Sequence, residues 1–212
     1  MNKGIFITAT DTEAGKTYIS CKIAEELVKM GIKAGVMKPF ASGSRSDAIK
    51  LIKASGVKDK IEKVNPVYFK YPLAPYSSAL LEKLKVDLSL VWKSYKVLSK
   101  KYEFMIVEGI GGLVVPIKKD YSVLDLIKGF KLPVLVAAKP GLGTVNHTVL
   151  TVQKLQQNKI KVLGIILSGK RKNTISERTN PQIIRTLTKL PVLEVPYDKT
   201  INLRKNKWLL GL

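Results

Sequence analysis

Cysteine and histidine are almost absent: Cys21 and His147 are the only examples in 212 residues. One cysteine cannot close an intramolecular disulfide, and no zinc-ligand spacing can be built from such a pair. A lone thiol on a predicted helix reads as a small packing residue and points to the reducing cytoplasm. Acidic residues are scarce as well, 16 against 37 Lys and Arg, for a formal charge of +21. So few carboxylates exclude a thermophile's two-sign ion-pair network. The positive excess raises nucleic acid as a partner. The lysines, however, run from Lys3 to Lys207 with no aromatic-interleaved basic block and no recognition-helix pattern. Solubility is therefore the expected role of the charge, and specific nucleic-acid binding is not expected. Long apolar runs are missing too. Nothing approaches the ~20 residues of a membrane span, and the start, MNKGIFITAT, is too brief for a secretory signal. The expectation is a cytoplasmic chain with no membrane partner.

At 45% hydrophobic content the chain can bury one sizeable core, so a single domain over residues 1–212 is expected. Six short apolar runs read as buried strands of a parallel sheet: GIFITA from Gly4, KAGVMK from Lys33, FMIVEG from Phe104, PVLVAA from Pro133, VLGIIL from Val162 and PVLEV from Pro191. Helical spacing lies between them: Ile19, Ile23, Ala24 and Leu27; then Leu88, Val91, Trp92, Tyr95 and Leu98 behind Asp87, a good N-cap; then residues 144–157. Strand and helix alternation predicts a doubly wound α/β fold, mostly parallel, with helices on both faces and ligands at the carboxyl ends of the strands. Residues 42–78 are the least regular and are expected to carry substrate loops.

The stretch TATDTEAGKTYIS, from Thr8 to Ser20, ends in Gly15-Lys16-Thr17, the close of a phosphate-binding loop, but Thr10 stands where the standard spelling has glycine. The physical requirements are met: a strand, a turn, then a helix whose first amides face an anion. Gly15 would let backbone approach phosphate, Lys16 would reach the outer phosphates and Thr17 would ligate Mg²⁺. Asp11 and Glu13 sit awkwardly beside a polyphosphate, so they point either to a further task or to helix N-terminal charge pairing. Lys38 ends the second strand, where it would neutralise charge on a transferring phosphoryl group, unless it is an exposed lysine beside an ordinary turn. Asp47 and Glu108 complete with Thr17 a set of hard oxygens suited to Mg²⁺.

TDTEAGKT from Thr10, KPFASGS from Lys38, SDA from Ser46, VEGIGG from Val107 and GLGTVNHTVLT from Gly141 together resemble the dethiobiotin synthetases, in order over most of residues 1–167. The resemblance implies an ATP-dependent closure of 7,8-diaminononanoate with CO₂ or bicarbonate to dethiobiotin, through a carbamate that ATP phosphorylates. It implies catalytic roles for Thr12, Lys16 and Lys38, and substrate contacts for Thr12, Ser42, Gly143 and Asn146. Nucleotide contacts are implied for Glu13, Ala14, Gly15, Lys16, Thr17, Asp47, Glu108, Gly109, Ile110, Gly111, Ser168, Pro196 and Tyr197. Mg²⁺ would rest on Thr17, Asp47 and Glu108. A homodimer follows from the same resemblance, because the segment from Gly141 reaches the neighbouring subunit's substrate.

The chain departs from the family at Ser168-Gly169, where an Asn-Asp pair reads adenine, and losing a bidentate amide predicts a relaxed preference for ATP. Ala9 replaces a family glycine, and the loop after Ser42 is shorter. A positioning ATPase of the MinD and ParA kind, binding membrane or DNA, is the main rival. Its signature lysine falls at Asp11 here. A glutamine-dependent corrin-amidating synthetase would need a glutaminase domain with a nucleophilic cysteine, which the length and helix-borne Cys21 do not supply.

Overall fold

A computed structural model describes residues 3–169, 174–197 and 199–211. The chain runs β1 (Gly4–Ala9), α1 (Lys16–Lys29), β2 (Ala34–Met37), β3 (Phe40–Ser42), α2 (Ser46–Ser55), α3 (Ile61–Val64), β4 (Val67–Phe69), α4 (Pro75–Leu81), α5 (Leu88–Lys101) and β5 (Phe104–Glu108). It continues through β6 (Pro116–Lys118), β7 (Tyr121–Ser122), α6 (Val123–Phe130), β8 (Val134–Ala138), α7 (Thr144–Gln157), β9 (Val162–Gly169), α8 (Ile175–Thr188) and β10 (Val192–Pro196), ending in a 3₁₀ turn at Lys207–Leu210. Six strands form one parallel sheet in the order β10-β9-β8-β1-β5-β2. Crossovers lead to β2 and β5 on one side of β1 and to β8, β9 and β10 on the other. The loop after β1 therefore opens at the switch point, where such sheets bind ligands.

Both faces of the sheet are covered, which is why its strands are apolar throughout rather than alternating. Successive residues of β1 enter opposite layers: Phe6 joins one core with Val107, Phe130 and Val136, while Ile5, Ile7 and Ala9 join the other with Ile19, Ile23 and Leu27 of α1. Each such fully buried aliphatic side chain stabilises the fold by about 1.5–3 kcal/mol. The second core is closed by Ile201, Leu203, Leu209 and Leu210 from the C-terminal segment. Asp87 caps α5 by accepting from the Ser89 amide at 2.8 Å, and Ser122 with Asp125 forms a capping box on α6. No helix among the described residues is long and apolar enough to cross a membrane.

The expected strands and helices are present within a residue or two, and α7 falls at the predicted bounds. The stretch 42–78 is a correction. It is not a set of loops but holds α2, α3, β4 and the start of α4, with β3 and β4 paired in a small parallel ribbon. The elements are only 3 to 10 residues long, too short for a hydrophobic period to declare itself.

Candidate active site

β1 delivers the loop at residues 10–15 to the top of the sheet. Asp11 accepts the Thr12 amide at 2.7 Å, a local turn contact that gives this carboxylate a structural task within the loop. Glu13 (φ 55°) and Gly15 (φ 85°) both lie in the left-handed region just before α1 begins. A Cβ on Gly15 would stand 2.9 Å from both Cβ and Oγ of Ser168. Glycine is required there for close approach as well as for its backbone angle. Ala14 is fully buried beneath the turn.

Lys16 donates from Nζ to the Asp11 carbonyl at 3.2 Å, folding its side chain back over the loop. Burial, followed by the nearby charge of Lys38, brings its ammonium down to about 8. Thr17 donates its hydroxyl to Glu108 Oε1 at 2.8 Å. Lys38, at the end of β2, is 3 % exposed, which rules out the reading as an exposed lysine at a turn. Its Nζ meets Glu108 Oε1 at 2.5 Å and Asp47 Oδ2 at 2.9 Å. Burial alone would depress the Lys38 ammonium, but the charges of Glu108 and Asp47 and their hydrogen bonds hold it above the ordinary lysine range. For Asp47, burial works toward a higher value, and the charge and hydrogen bond of Lys38 keep its carboxyl below the usual range. Two strand ends, of β2 and β5, and the starts of α1 and α2 thus bring Thr17, Lys38, Asp47 and Glu108 together.

The backbone of Lys38 is itself pinned. Asn65, fully buried after α3, donates from Nδ2 to the Lys38 carbonyl at 2.7 Å and to the Val67 carbonyl at 3.2 Å. The sequence offers only an Asn-Pro turn signal at this point, so its link to the site was not foreseen. Asn65→Ala strands two carbonyls and is expected to cost about 1–3 kcal/mol in urea denaturation. Because Lys38 also loses its anchor, kcat should fall in the same variant. An unchanged unfolding midpoint would show that the amide does not hold this strand end.

A cavity of about 580 Å³ opens over these groups, lined by Thr12, Glu13, Gly15, Lys16, Thr17, Lys38, Ser42, Asp47, Ile110 and Gly111 and also by Tyr18 and Tyr197. Glu108 and Gly109 are buried behind it, and the Gly109 amide donates to the Ile7 carbonyl at 2.9 Å. The remaining expected contacts stand elsewhere. Ser168 is 1 % exposed and lies under Gly15, off the cavity wall. The reason is that β9 runs on through Ser168 to Gly169, so the serine is still within the sheet. Pro196 contributes its carbonyl, which accepts from the Tyr18 hydroxyl at 3.2 Å. Gly143 and Asn146 are exposed at the start of α7 and do not line the cavity. Lys170 and Asp198, neighbours of two expected nucleotide contacts, lie outside the described residues.

The donor set fits a divalent cation. Thr17, Asp47 and Glu108 offer only oxygen, and Glu108 Oε2 is buried without a hydrogen-bond partner. No group of three or more His, Cys, Asp and Glu side chains suited to a metal occurs among the described residues, so a cation here would also need the threonine hydroxyl and ligand oxygens. Cys21 takes no part: burial pushes its thiol up to about 12, leaving it protonated and inert.

The family profile described as an AAA domain matches residues 3–204. The chain is 52% identical to the ATP-dependent dethiobiotin synthetase of Endomicrobium trichonymphae, over 99% of this chain and 100% of the relative. It is 42% identical to that of Aquifex aeolicus, over 95% of this chain and 92% of the relative. Among solved structures, the septum site-determining protein MinD of Pyrococcus horikoshii, complexed with Mg-ADP, superposes with a TM-score of 0.59 at 18% identity, covering 93% of this chain and 82% of that one. At that identity the likeness shows the fold alone.

Proposed function

The chain belongs to the ATP-dependent dethiobiotin synthetases, ligases of biotin synthesis, and from that premise we propose that it closes 7,8-diaminononanoate and CO₂ into dethiobiotin while ATP becomes ADP and phosphate. An amine nitrogen attacks the carbon of CO₂ and loses a proton, giving a carbamate. The carbamate oxygen then attacks the γ-phosphorus, the bond to ADP breaks, and a carbamic-phosphoric anhydride forms. The second amine attacks the carbonyl carbon of that anhydride. Phosphate leaves with the electron pair, a proton is lost and the cyclic urea is complete.

Lys16 and Lys38 face the cavity where negative charge accumulates during phosphoryl transfer, and both are held in place before substrate arrives, which is what electrostatic stabilisation requires. Thr12 and Ser42 supply hydroxyls for the carbamate. Buried Ser42 Oγ has no partner of its own and so is available to one. Thr17, Asp47 and Glu108 are the residues that would hold Mg²⁺, which when bound neutralises polyphosphate charge. Gly143 and Asn146 would act across a homodimer.

The observation that carries this reading is the meeting of Lys16, Thr17, Lys38, Ser42 and Asp47 on one cavity with Glu108 behind them. Purified protein with the diamine, bicarbonate, Mg²⁺ and ATP is expected to yield dethiobiotin by mass spectrometry, and none without ATP. ATP hydrolysis with no dethiobiotin would overturn the proposal and turn attention to a switch ATPase, whose salt-sensitive DNA binding is then the next assay.

A further inference from the structure

Lysines that are scattered along the sequence are gathered by the fold. Each of the six strands of the main sheet has a lysine one or three residues before it: Lys3, Lys33, Lys101, Lys131, Lys161 and Lys189 precede β1, β2, β5, β8, β9 and β10. In a parallel sheet all strand starts share one pole, so these side chains stand at the end opposite the phosphate loop. Lys131, Lys159 and Lys189, just beyond the ends of α6, α7 and α8, have φ of 54°, 56° and 56°. A left-handed backbone costs a lysine about 1–2 kcal/mol, and attraction to the helix dipole returns about 0.3–1 kcal/mol. Local stability alone would favour glycine at these positions.

Three adjoining cavities, of about 490, 630 and 380 Å³, cross this pole. The first two share Ile32 and Tyr102, and the second and third share Pro133, so they form one trough. Lys33, Lys58 and Lys101 line one end of it, Lys3 the middle, and Lys128, Lys131, Lys159 and Lys161 the other end. Three carboxylates stand near these cations, and each is already engaged. Glu103 accepts the Lys33 amide at 3.4 Å, Asp59 is held by Lys101 at 2.9 Å and by the Tyr102 hydroxyl, and Asp125 meets Lys128 at 3.5 Å. Among the described residues the remaining lysines of the trough form no ion pair. The middle of the trough is apolar, with Ile32, Phe104, Pro133 and Leu210 in its wall.

A linear polyanion matches the charge along this trough. Inorganic polyphosphate or an all-acidic peptide would leave the apolar middle bare, and a flat bilayer cannot enter a concave surface. Single-stranded nucleic acid carries both a charge and an apolar base face in every unit. We propose that the trough binds single-stranded nucleic acid, without sequence preference and without ATP, at the pole away from the nucleotide cavity. Such binding does not depend on the reaction assigned to that cavity, whose groups lie at the carboxyl ends of the strands.

The test is fluorescence anisotropy of a labelled oligothymidylate in the absence of ATP. With about four to six phosphates neutralised at ~0.7 each, log K should fall against log salt with a slope of about −3 to −4. Lys131→Gly/Lys159→Gly removes charge and relieves the backbone, so the urea midpoint should hold or rise while affinity falls roughly 10- to 30-fold at about 0.1 M salt. Lys33→Gln/Lys58→Gln, at the other end, should weaken binding to a similar extent. Lys93→Gln/Lys96→Gln on α5, where neither residue lines the trough, should change it by less than about twofold. Absence of binding by the unaltered protein would overturn the proposal, as would an equal loss in the α5 variant. So would a duplex bound as tightly as the single strand, or polyglutamate competing better than unlabelled oligonucleotide. Binding that requires ATP and survives the trough variants would belong to a switch ATPase and would overturn it too. A protein that makes dethiobiotin and ignores the oligonucleotide sinks the trough and keeps the reaction; the expected binding with no dethiobiotin does the reverse.

Discussion

Lys38→Met should lower kcat by at least about 10²- to 10³-fold and destabilise the protein by about 3–5 kcal/mol. The two effects have one origin. Lys38 supplies the positive charge that Glu108, fully buried, and Asp47, partly buried, share at 2.5 and 2.9 Å. Methionine fills much of the same volume but leaves Glu108 buried without a cation, and an uncompensated buried charge is what makes breaking such pairs expensive. Turnover falls because the same ammonium is the group poised for the phosphoryl oxygens. The double variant Lys38→Met/Glu108→Gln separates the roles: removing the orphaned carboxylate should restore most of the lost stability and none of the rate. Urea midpoints and dethiobiotin formation for the single and double variants measure both. A single variant as stable as the parent would mean that Lys38 does not hold the carboxylates, and a double variant that regains turnover would remove Lys38 from the chemistry.

Gly15→Ala should abolish ATP binding, with affinity falling by at least about 100-fold. Two obstacles add. At φ 85° a side chain costs about 1–2 kcal/mol in backbone strain, and the new methyl would sit 2.9 Å from the Cβ and Oγ of Ser168. Ser168 belongs to β9, deep in the sheet, and cannot swing aside as a surface side chain would. The loop must move instead, taking the first amides of α1 away from the phosphates. Pairing Gly15→Ala with Ser168→Gly removes the contact but not the strain, so partial recovery of binding is expected. Calorimetry with ATP decides it: unimpaired binding by the single variant would show that the closeness of loop and strand is incidental.

The sheet was readable because its strands are buried on both faces and spell themselves as uninterrupted apolar runs. The helices α1, α5 and α7 were readable from their apolar spacing, and α5 also from Asp87. Helix α8 was not. It carries Pro181 in its interior and has Glu177 and Asn180 among its buried residues, so neither its pattern nor its breakers announce a helix. At the site, Lys16, Thr17, Lys38, Asp47 and Glu108 could be named because each stands at a strand end or helix start in a doubly wound fold. Asn65 and Tyr18 could not, since their importance comes from hydrogen bonds to backbone carbonyls that are distant in sequence from one or both ends of the contact. Ser168, a nucleotide contact implied by the resemblance, lies under the loop's glycine and off the cavity wall.

The place of β1 between β5 and β8 has a further consequence for motion. A strand hydrogen-bonded on both sides opens to solvent only when much of the sheet opens with it, so amides of β1 belong to the slowest class of hydrogen exchange. The phosphate loop is mounted on that strand. Tyr197, by contrast, follows β10, which pairs with β9 at the edge of the sheet, and its carbonyl accepts from the Tyr18 hydroxyl of α1. The loop at residues 10–15 is therefore carried by a strand whose amides should exchange more slowly than those of the edge strand β10, a difference in local stiffness across one cavity.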